Sequence, residues 1–246
     1  MFDFRSPFMI GTGGLIVGCW VGVHAALLAL TDGDAARWSL FGALLGVFHS
    51  LEFLATALLR PGEANFNSYC ILHSVPYWAA MALAAGEYFL TRFLLPSGTS
   101  LGDALRSPVT LVVGAILCAG GLGLRYWAMW AARENFNHLV QRDKPTGHRL
   151  VTGGPYSISR HPSYLGWMVW AVGSQVLLGN VLSVPLFFAA SVLFFRHRVA
   201  LEEAALLEWY RDAYVQYARR VPSLLPFVPG SEAVQRCIER SRASSD

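Results

Sequence analysis

"YLGWMVWAVGSQVLLGNVLSVPLFFAASVLFF", residues 164–195, is an apolar run with one interruption, Gly179-Asn180. Gly-Asn is a turn pair. It leaves two segments, 164–178 and 181–195, each about 15 residues long, or about 22 Å as helix. A bilayer's hydrocarbon core is about 30 Å thick. The run predicts a tight helical hairpin, fully spanning with its flanking residues or slightly short. Leucine and alanine dominate and period-2 alternation is absent, so helices rather than a barrel satisfy the backbone in lipid.

Four more apolar segments lie upstream, at residues 8–30, 38–59, 69–95 and 108–132. The expectation is an all-α, polytopic membrane helical bundle of about six spans. Composition agrees: the 246 residues are 54% hydrophobic and only 14% charged, against about 25% charged in soluble domains. The net charge of +3 is dispersed and Lys144 is the only lysine, which excludes a nucleic-acid partner. Cys19, Cys70, Cys118 and Cys237 form no CxxC pair, so neither a disulfide framework nor a metal site is expected.

The first segment lacks a basic n-region and a small-residue cleavage site and reads as a retained helix. Its Gly14, Gly18 and Gly22 form a face that admits another helix closely, read as packing inside the monomer in preference to a dimer contact. Six spans put both termini on one side, with Arg5, Arg60, the 133–160 loop and the arginine-rich tail. Arg37, Arg92 and Arg106 lie opposite, beside Asp32, Asp34 and Asp103. The basic excess makes the termini and the loop cytosolic. Residues 1–107 read as an N-terminal, substrate-side scaffold, 108–230 as the catalytic core and 231–246 as a polar tail, loose at its end.

After Phe195 the chain becomes charged. Leu206, Tyr210, Ala213, Tyr214, Tyr217 and Val221 fall at helical spacing and Pro222 ends the pattern. This predicts an amphipathic helix at the membrane surface or beneath the bundle.

Ionisable groups within spans are expensive and face protein or a cavity. His49, Glu52, His73, Glu87 and Arg125 are either structural pairs within the bundle or the mouth of a polar site. The 133–160 loop is the stronger signal. It and the residues after it hold Asn135, Asn137, His138, Gln141, His148, Tyr156, Arg160, His161 and Tyr164, a dense set of hydrogen-bonding side chains. Gly153-Gly154-Pro155 forces a turn. His161-Pro162 starts a helix whose free amides suit an anion. Beyond the hairpin, Arg198 and Glu202 are four apart on one helical face, with Glu203 beside them. The hairpin folds this cluster back toward His161, and the convergence predicts a pocket. Arg160 either serves that pocket or anchors to lipid headgroups.

"FNHLVQ", "HRLVTGGPYSISRHPSYLGW", "RVALEEAALLEWY" and "YVQYARRVPSLLPF" together resemble isoprenylcysteine carboxyl methyltransferase, the integral membrane enzyme that methylates the C-terminal prenylcysteine of CaaX proteins. The likeness is close over residues 136–227 and extends upstream through "FHSLEFLATALLRP" and "ILHSVPYWAAM". Animal members of that family have two further N-terminal helices. The resemblance implies that Gln141, His148, Arg149, Leu150, Val151, Tyr156, His161, Pro162, Ser163, Tyr164 and Glu202 bind S-adenosyl-L-methionine. It implies that Arg198 holds the substrate carboxylate and that Glu203 completes an acidic catalytic pair. It also implies an endoplasmic reticulum membrane, a cytosolic active site, and farnesyl- or geranylgeranyl-cysteine substrates within membrane lipid.

The implied reaction moves a methyl group from a sulfonium to a carboxylate oxygen. The carboxylate is ionised at neutral pH, so no general base is required. The prenyl chain prefers lipid by about 0.8 kcal/mol per CH₂, which accounts for a catalyst in the membrane. Trp167, Trp170 and Phe194 line a lateral opening or are ordinary packing and lipid-facing residues. Two rivals share parts of the pattern. A phospholipid or other lipid methyltransferase acting on amines has no use for Arg198. A membrane sterol reductase needs a basic pocket for the NADPH 2′-phosphate, and no such pocket is evident.

Overall fold

A computed structural model describes residues 3–72, 74–138, 141 and 143–243, with side chains to residue 239. The described residues contain helices and turns and no strand. The helices are α1 Pro7–Leu30, α2 Gly33–Leu59, α3 Val75–Leu94, α4 Ser100–Leu105, α5 Pro108–Ala132, α6 Pro162–Leu178, α7 Ser183–Tyr210, α8 Asp212–Arg220 and α9 Glu232–Ala243. The chain divides into two compact units. One is Met1–Leu122 with Val169–Phe187; the other is Gly123–Met168 with Phe188–Asp246.

Four stretches are long and apolar enough to cross a membrane: Pro7–Leu30, Gly33–Leu59, Ser100–Asn135 and Ser183–Tyr210. The protein is a multi-pass helical membrane protein. Of the six expected spans, the remaining two are α3 and α6. The 20 residues of α3 include Glu87 and Arg92, and α6 has 17 residues, about 26 Å of helix.

In the first unit, local sequence sets the helix starts. Ser6 caps α1 by accepting from the Met9 amide at 3.3 Å, Ser74 caps α3 from Tyr77 at 3.3 Å, and Thr99 caps α4 from Gly102 at 3.1 Å. Such caps satisfy amides that a helix start leaves open. The start of α7 is capped from a distance. Glu87 accepts from the amides of Leu182 and Ser183, both at 2.7 Å, and from the Ser183 hydroxyl. This carboxylate, expected within a span, is a helix cap, which answers one of the open charges.

The helix ends are closed by arginines. Buried Arg37 donates to the carbonyls of Leu105 (3.0 Å), Leu177 (3.2 Å), Arg106 (2.9 Å) and Ser107 (2.8 Å). Arg92 donates to Leu178 O. Arg106 pairs with Asp34 at 2.8 Å and donates to Leu95 O at 2.7 Å. Helix C-termini leave carbonyls without partners, and these side chains supply the donors. Of the other buried groups here, His49 Nδ1 lies 2.8 Å from Tyr69 O, and Glu52 is fully buried. His73 lies outside the described residues.

The predicted hairpin turn is present. Gly179 has φ +70°, and a Cβ there would stand 2.2 Å from the Leu105 carbonyl oxygen. Buried Asn180 donates to Ala84 O at 3.0 Å and Gln175 Oε1 at 2.9 Å. The glycine face of α1 differs from expectation. Gly14 approaches the Tyr69 hydroxyl, but Gly18 and Gly22 face open space. The close approach of α1 to α2 uses glycines on α2 instead: Gly42 receives the His24 ring and Gly46 receives Val21.

In the second unit the charged segment after Phe195 is two helices, not one. The first continues α7 without a break to Tyr210; Arg211, at φ +46°, turns the chain into α8. Leu206, Tyr210, Tyr214, Tyr217 and Val221 still share one apolar cluster, joined by Val234 and Ile238 of α9. Ala213 is exposed, because the break resets the helical register. The segment 231–246, expected as a polar tail, thus contains a packed helix whose Val234 is fully buried. A second cluster joins Met168, Phe195 and Val199 to Leu225 and Val228, so the chain after Pro222 packs along α6 and α7.

Candidate active site

The polar residues of the second unit converge on two adjoining clefts. One is lined by Asn135, Asn137, Gln141, His148, Tyr164, Glu202, Ala205, Leu206 and Trp209. The other is lined by Asn135, Phe136, Asn137, Tyr156, Arg160, His161, Pro162, Ser163, Tyr164 and Glu202. Asn135, Asn137, Tyr164 and Glu202 belong to both.

Elements place these groups by simple local rules. Pro162 opens α6 at the position where its missing N–H costs nothing, so Ser163 and Tyr164 follow on the first turn. The free amides expected there are partly taken: His161 N donates to Ser159 Oγ at 3.2 Å and Tyr164 N to His161 O at 3.1 Å. On α7, residues 202, 205, 206 and 209 recur at helical spacing and form one wall. Tyr217 of α8 donates to Tyr156 O at 2.6 Å and fixes the turn that carries Tyr156. Arg125 donates to Ser163 Oγ at 3.2 Å, which ties the end of α5 to the start of α6.

At the centre the Tyr164 hydroxyl donates to Glu202 Oε2 at 2.5 Å and accepts from Arg198 Nε at 2.9 Å. Arg198 also donates to His138 O. The Tyr164 ring is stacked between His161, centroids 5.7 Å apart, and Phe195 at 4.8 Å. His161 Nδ1 is buried without a hydrogen-bond partner among the described residues and lies 3.8 Å from Glu202 Oε1.

His148 has a defined tautomer. Its Nδ1 is 2.7 Å from the Tyr210 hydroxyl, and that hydroxyl donates to His148 O at 2.8 Å. A hydroxyl has one proton, so Nδ1 is the donor and Nε2 of the neutral ring is an acceptor. Burial, then nearby Lys144, lowers the His148 pKa against the opposing pull of Glu202. Burial, with Glu202 and Tyr217 next, pushes the Tyr156 phenol up, so it remains a neutral donor.

Of the residues expected at the cofactor, Gln141, His148, Tyr156, His161, Pro162, Ser163, Tyr164 and Glu202 line the clefts. Arg149, Leu150 and Val151 are not among the lining residues. Arg149 is exposed and its amide donates to Asn135 Oδ1 at 2.7 Å; Leu150 packs on the α8–α9 cluster. Arg198 reaches the site through Tyr164. Glu203, expected as half of an acidic pair, points away from the clefts and is fully buried against Arg160, His161 and Ser231. Trp170 is buried and stacks on Phe48 at 4.3 Å, Trp167 meets Phe195, and Phe194 is exposed. Asn135 and Asn137 stood in the polar run without a role. Ala205, Leu206 and Trp209 were reachable from Glu202 by helical spacing alone.

A multi-pass helical protein with an acidic, aromatic and amide-lined cleft, joined by one hydroxyl to an arginine, defines an intramembrane enzyme. The sequence profile of the isoprenylcysteine carboxyl methyltransferase family matches residues 112–208. Protein-S-isoprenylcysteine O-methyltransferase of Xenopus laevis is 35% identical over 226 residues, covering 92% of this chain and 73% of that protein. The Homo sapiens enzyme of that name is 35% identical, covering 87% and 75%. The Saccharomyces cerevisiae one is 34% identical, covering 87% of each. The solved structure of a eukaryotic intramembrane Ras methyltransferase superposes with a TM-score of 0.85 and 32% identity, covering 92% of this chain and 78% of that one. The chain belongs to the isoprenylcysteine carboxyl methyltransferase family.

Proposed function

We propose that this protein forms a methyl ester on the C-terminal carboxylate of prenylcysteine in CaaX-processed proteins, with S-adenosyl-L-methionine as methyl donor. The observation that carries this reading is the link Arg198–Tyr164–Glu202, in which one hydroxyl joins a carboxylate-binding cation to the acidic wall of the cleft.

The cleft suits such a cofactor. Glu202 and the orphaned His161 Nδ1 offer acceptors to a cationic, N–H-bearing end. Asn135, Asn137, Gln141 and the acceptor Nε2 of His148 offer hydrogen bonds to a heterocycle and ribose, beside the ring of Trp209. When bound, S-adenosyl-L-methionine supplies an electrophilic methyl group.

Arg198 grips the substrate carboxylate and sets its direction. Two of its N–H groups are already engaged by Tyr164 and His138, which fixes the guanidinium plane and shares out its charge. The carboxylate therefore stays nucleophilic while it is held. No side chain needs to take a proton, because the nucleophile arrives ionised. The rings of Tyr164 and Phe194 lie beside the Arg198 guanidinium, with centroids at 5.6 and 5.8 Å. We place the protein in the endoplasmic reticulum membrane because its family resemblance implies it, and the termini and site in the cytosol because the excess of basic loop residues falls on their side. The six-span count, with α3 and α6 included, belongs to the same reading.

The test incubates purified protein with labelled S-adenosyl-L-methionine and N-acetyl farnesylcysteine or its geranylgeranyl counterpart. Formation of a base-labile methyl ester is expected; no ester with either substrate rejects the proposal.

A further inference from the structure

Glu203 lies behind the cleft wall rather than on it. Its buried carboxylate accepts from Arg160 Nε at 2.8 Å, from the Ser231 amide at 2.7 Å and from His161 Nε2 at 3.1 Å. Arg160 is fixed in turn, donating to Val221 O at 2.8 Å and Ala218 O at 3.3 Å. Gly230, at φ +83°, brings the chain over this group; a Cβ there would stand 2.4 Å from Glu203 Oε2.

A carboxylate paired with a guanidinium is ionised and can only accept hydrogen bonds. The proton between Glu203 and His161 must therefore sit on His161 Nε2. In its neutral form the ring then carries its lone pair on Nδ1. That atom is buried, has no hydrogen-bond partner among the described residues, and faces Glu202 Oε1 at 3.8 Å. Two acceptors thus address one space with no described donor between them. Leaving a buried acceptor unpaired is costly, and a ligand with several N–H donors on one atom relieves both at once. A primary ammonium is such a group; a sulfonium has no N–H, and a hydroxyl has a single proton.

We infer that Arg160 and Glu203 are positioning residues that hold His161 as its Nε2–H tautomer, so that Nδ1 and Glu202 jointly receive the ammonium group at the cofactor's amino-acid end. The inference rests on the reading that the cofactor is S-adenosyl-L-methionine. It gives Arg160, at the edge of the second cleft, a task through Glu203: its guanidinium is held by that carboxylate and by the Ala218 and Val221 carbonyls. It also gives Glu203 a task distinct from that of its neighbour Glu202. The helix turns these adjacent side chains about 100° apart, one into the cleft and one beneath it.

The experiment compares equilibrium binding of S-adenosylhomocysteine and its desamino analogue to the purified full chain and to Glu203→Gln. In the unaltered protein, loss of the amine is expected to weaken binding about tenfold, the scale of one charge-assisted hydrogen bond. Glutamine keeps the shape but offers Nε2 either an oxygen or an NH₂, so it no longer dictates the tautomer. The ratio between the two ligands should then fall to about twofold or less. A residue that only packs would weaken both ligands in proportion, and an unchanged ratio overturns the inference. The second readout needs no variant. In ¹⁵N-histidine-labelled protein bound to S-adenosylhomocysteine, His161 should show a protonated Nε2 and a bare Nδ1; a protonated Nδ1 overturns the inference. If the unaltered protein binds neither ligand, the cofactor reading falls and takes the inference with it. Normal binding with an unchanged ratio removes the inference alone.

Discussion

Arg198 meets Tyr164 through one hydrogen bond, Nε to phenolic oxygen at 2.9 Å, and the same hydroxyl passes its own proton to Glu202. The Arg198 guanidinium and the Glu202 carboxylate are therefore not independent. Whatever orders one restricts the other, and this coupling sets what the substitutions below should do.

Tyr164→Phe removes the hydroxyl and keeps the ring that stacks between His161 and Phe195. Arg198 Nε and Glu202 Oε2 each lose a partner, at a cost of about 1–3 kcal/mol. The expected result is a drop of about tenfold to a hundredfold in kcat/KM for N-acetyl farnesylcysteine methylation. Activity near the unaltered level would show that the bridge is idle.

Arg198→Ala should separate the two halves of the site. Glu202 and His161 remain, so S-adenosylhomocysteine should bind within about threefold of normal, while methylation falls by at least about a hundredfold for loss of a hydrogen-bonded charge partner. Arg198→Lys should recover little, because a lysine cannot span Tyr164 and a carboxylate with one planar fork. If cofactor affinity collapses and the substrate KM does not rise, Arg198 has been assigned to the wrong ligand.

The pH response follows from His148. Its folded pKa lies below the ordinary value, chiefly through burial and then through Lys144. A lowered pKa means the folded chain binds fewer protons than the unfolded one. Its contribution is present above about pH 6.5 and declines as pH falls below that value toward the folded pKa. Protonation also turns Nε2 from an acceptor into a donor. Binding of S-adenosylhomocysteine should therefore weaken on the acid side, and His148→Gln should flatten that limb. Parallel profiles for the two proteins would assign the acid limb to another group.

What the sequence made legible was what neighbours along the chain decide. The hairpin could be read because Gly179-Asn180 interrupts two apolar runs, and the α6 start because proline follows His161. The stripe from Leu206 to Val221 was readable, but its break was not. Arg211 adopts φ +46° without being glycine, so no residue type marks the turn, and Ala213 was placed on the wrong face. Charges whose partners lie far along the chain stayed opaque. Glu87 caps a helix 95 residues away, and Arg37 closes helix ends 68 to 140 residues away, which the pattern around either residue does not encode. Glu202 and Glu203 could be seen as a pair, but not which one faces the cleft, because that depends on the angle at which α7 packs.

The hairpin turn also gives the sharpest test of packing. At Gly179 two demands coincide: a left-handed backbone, which costs a residue with a Cβ about 1–2 kcal/mol, and a space already filled by the Leu105 carbonyl at 2.2 Å from any Cβ. Backbone cannot swing aside as a side chain can, so overpacking adds about 1–3 kcal/mol. Gly179→Ala should lower the unfolding midpoint in detergent strongly or abolish recovery of folded protein. Gly18→Ala is the matched control. It sits within a regular helix, faces open space, and gains about 1 kcal/mol of helix propensity. It should leave the midpoint unchanged or raise it slightly. Equal loss from both substitutions would show that Gly18 is covered by a neighbour and that the turn at Gly179 is looser than its geometry implies.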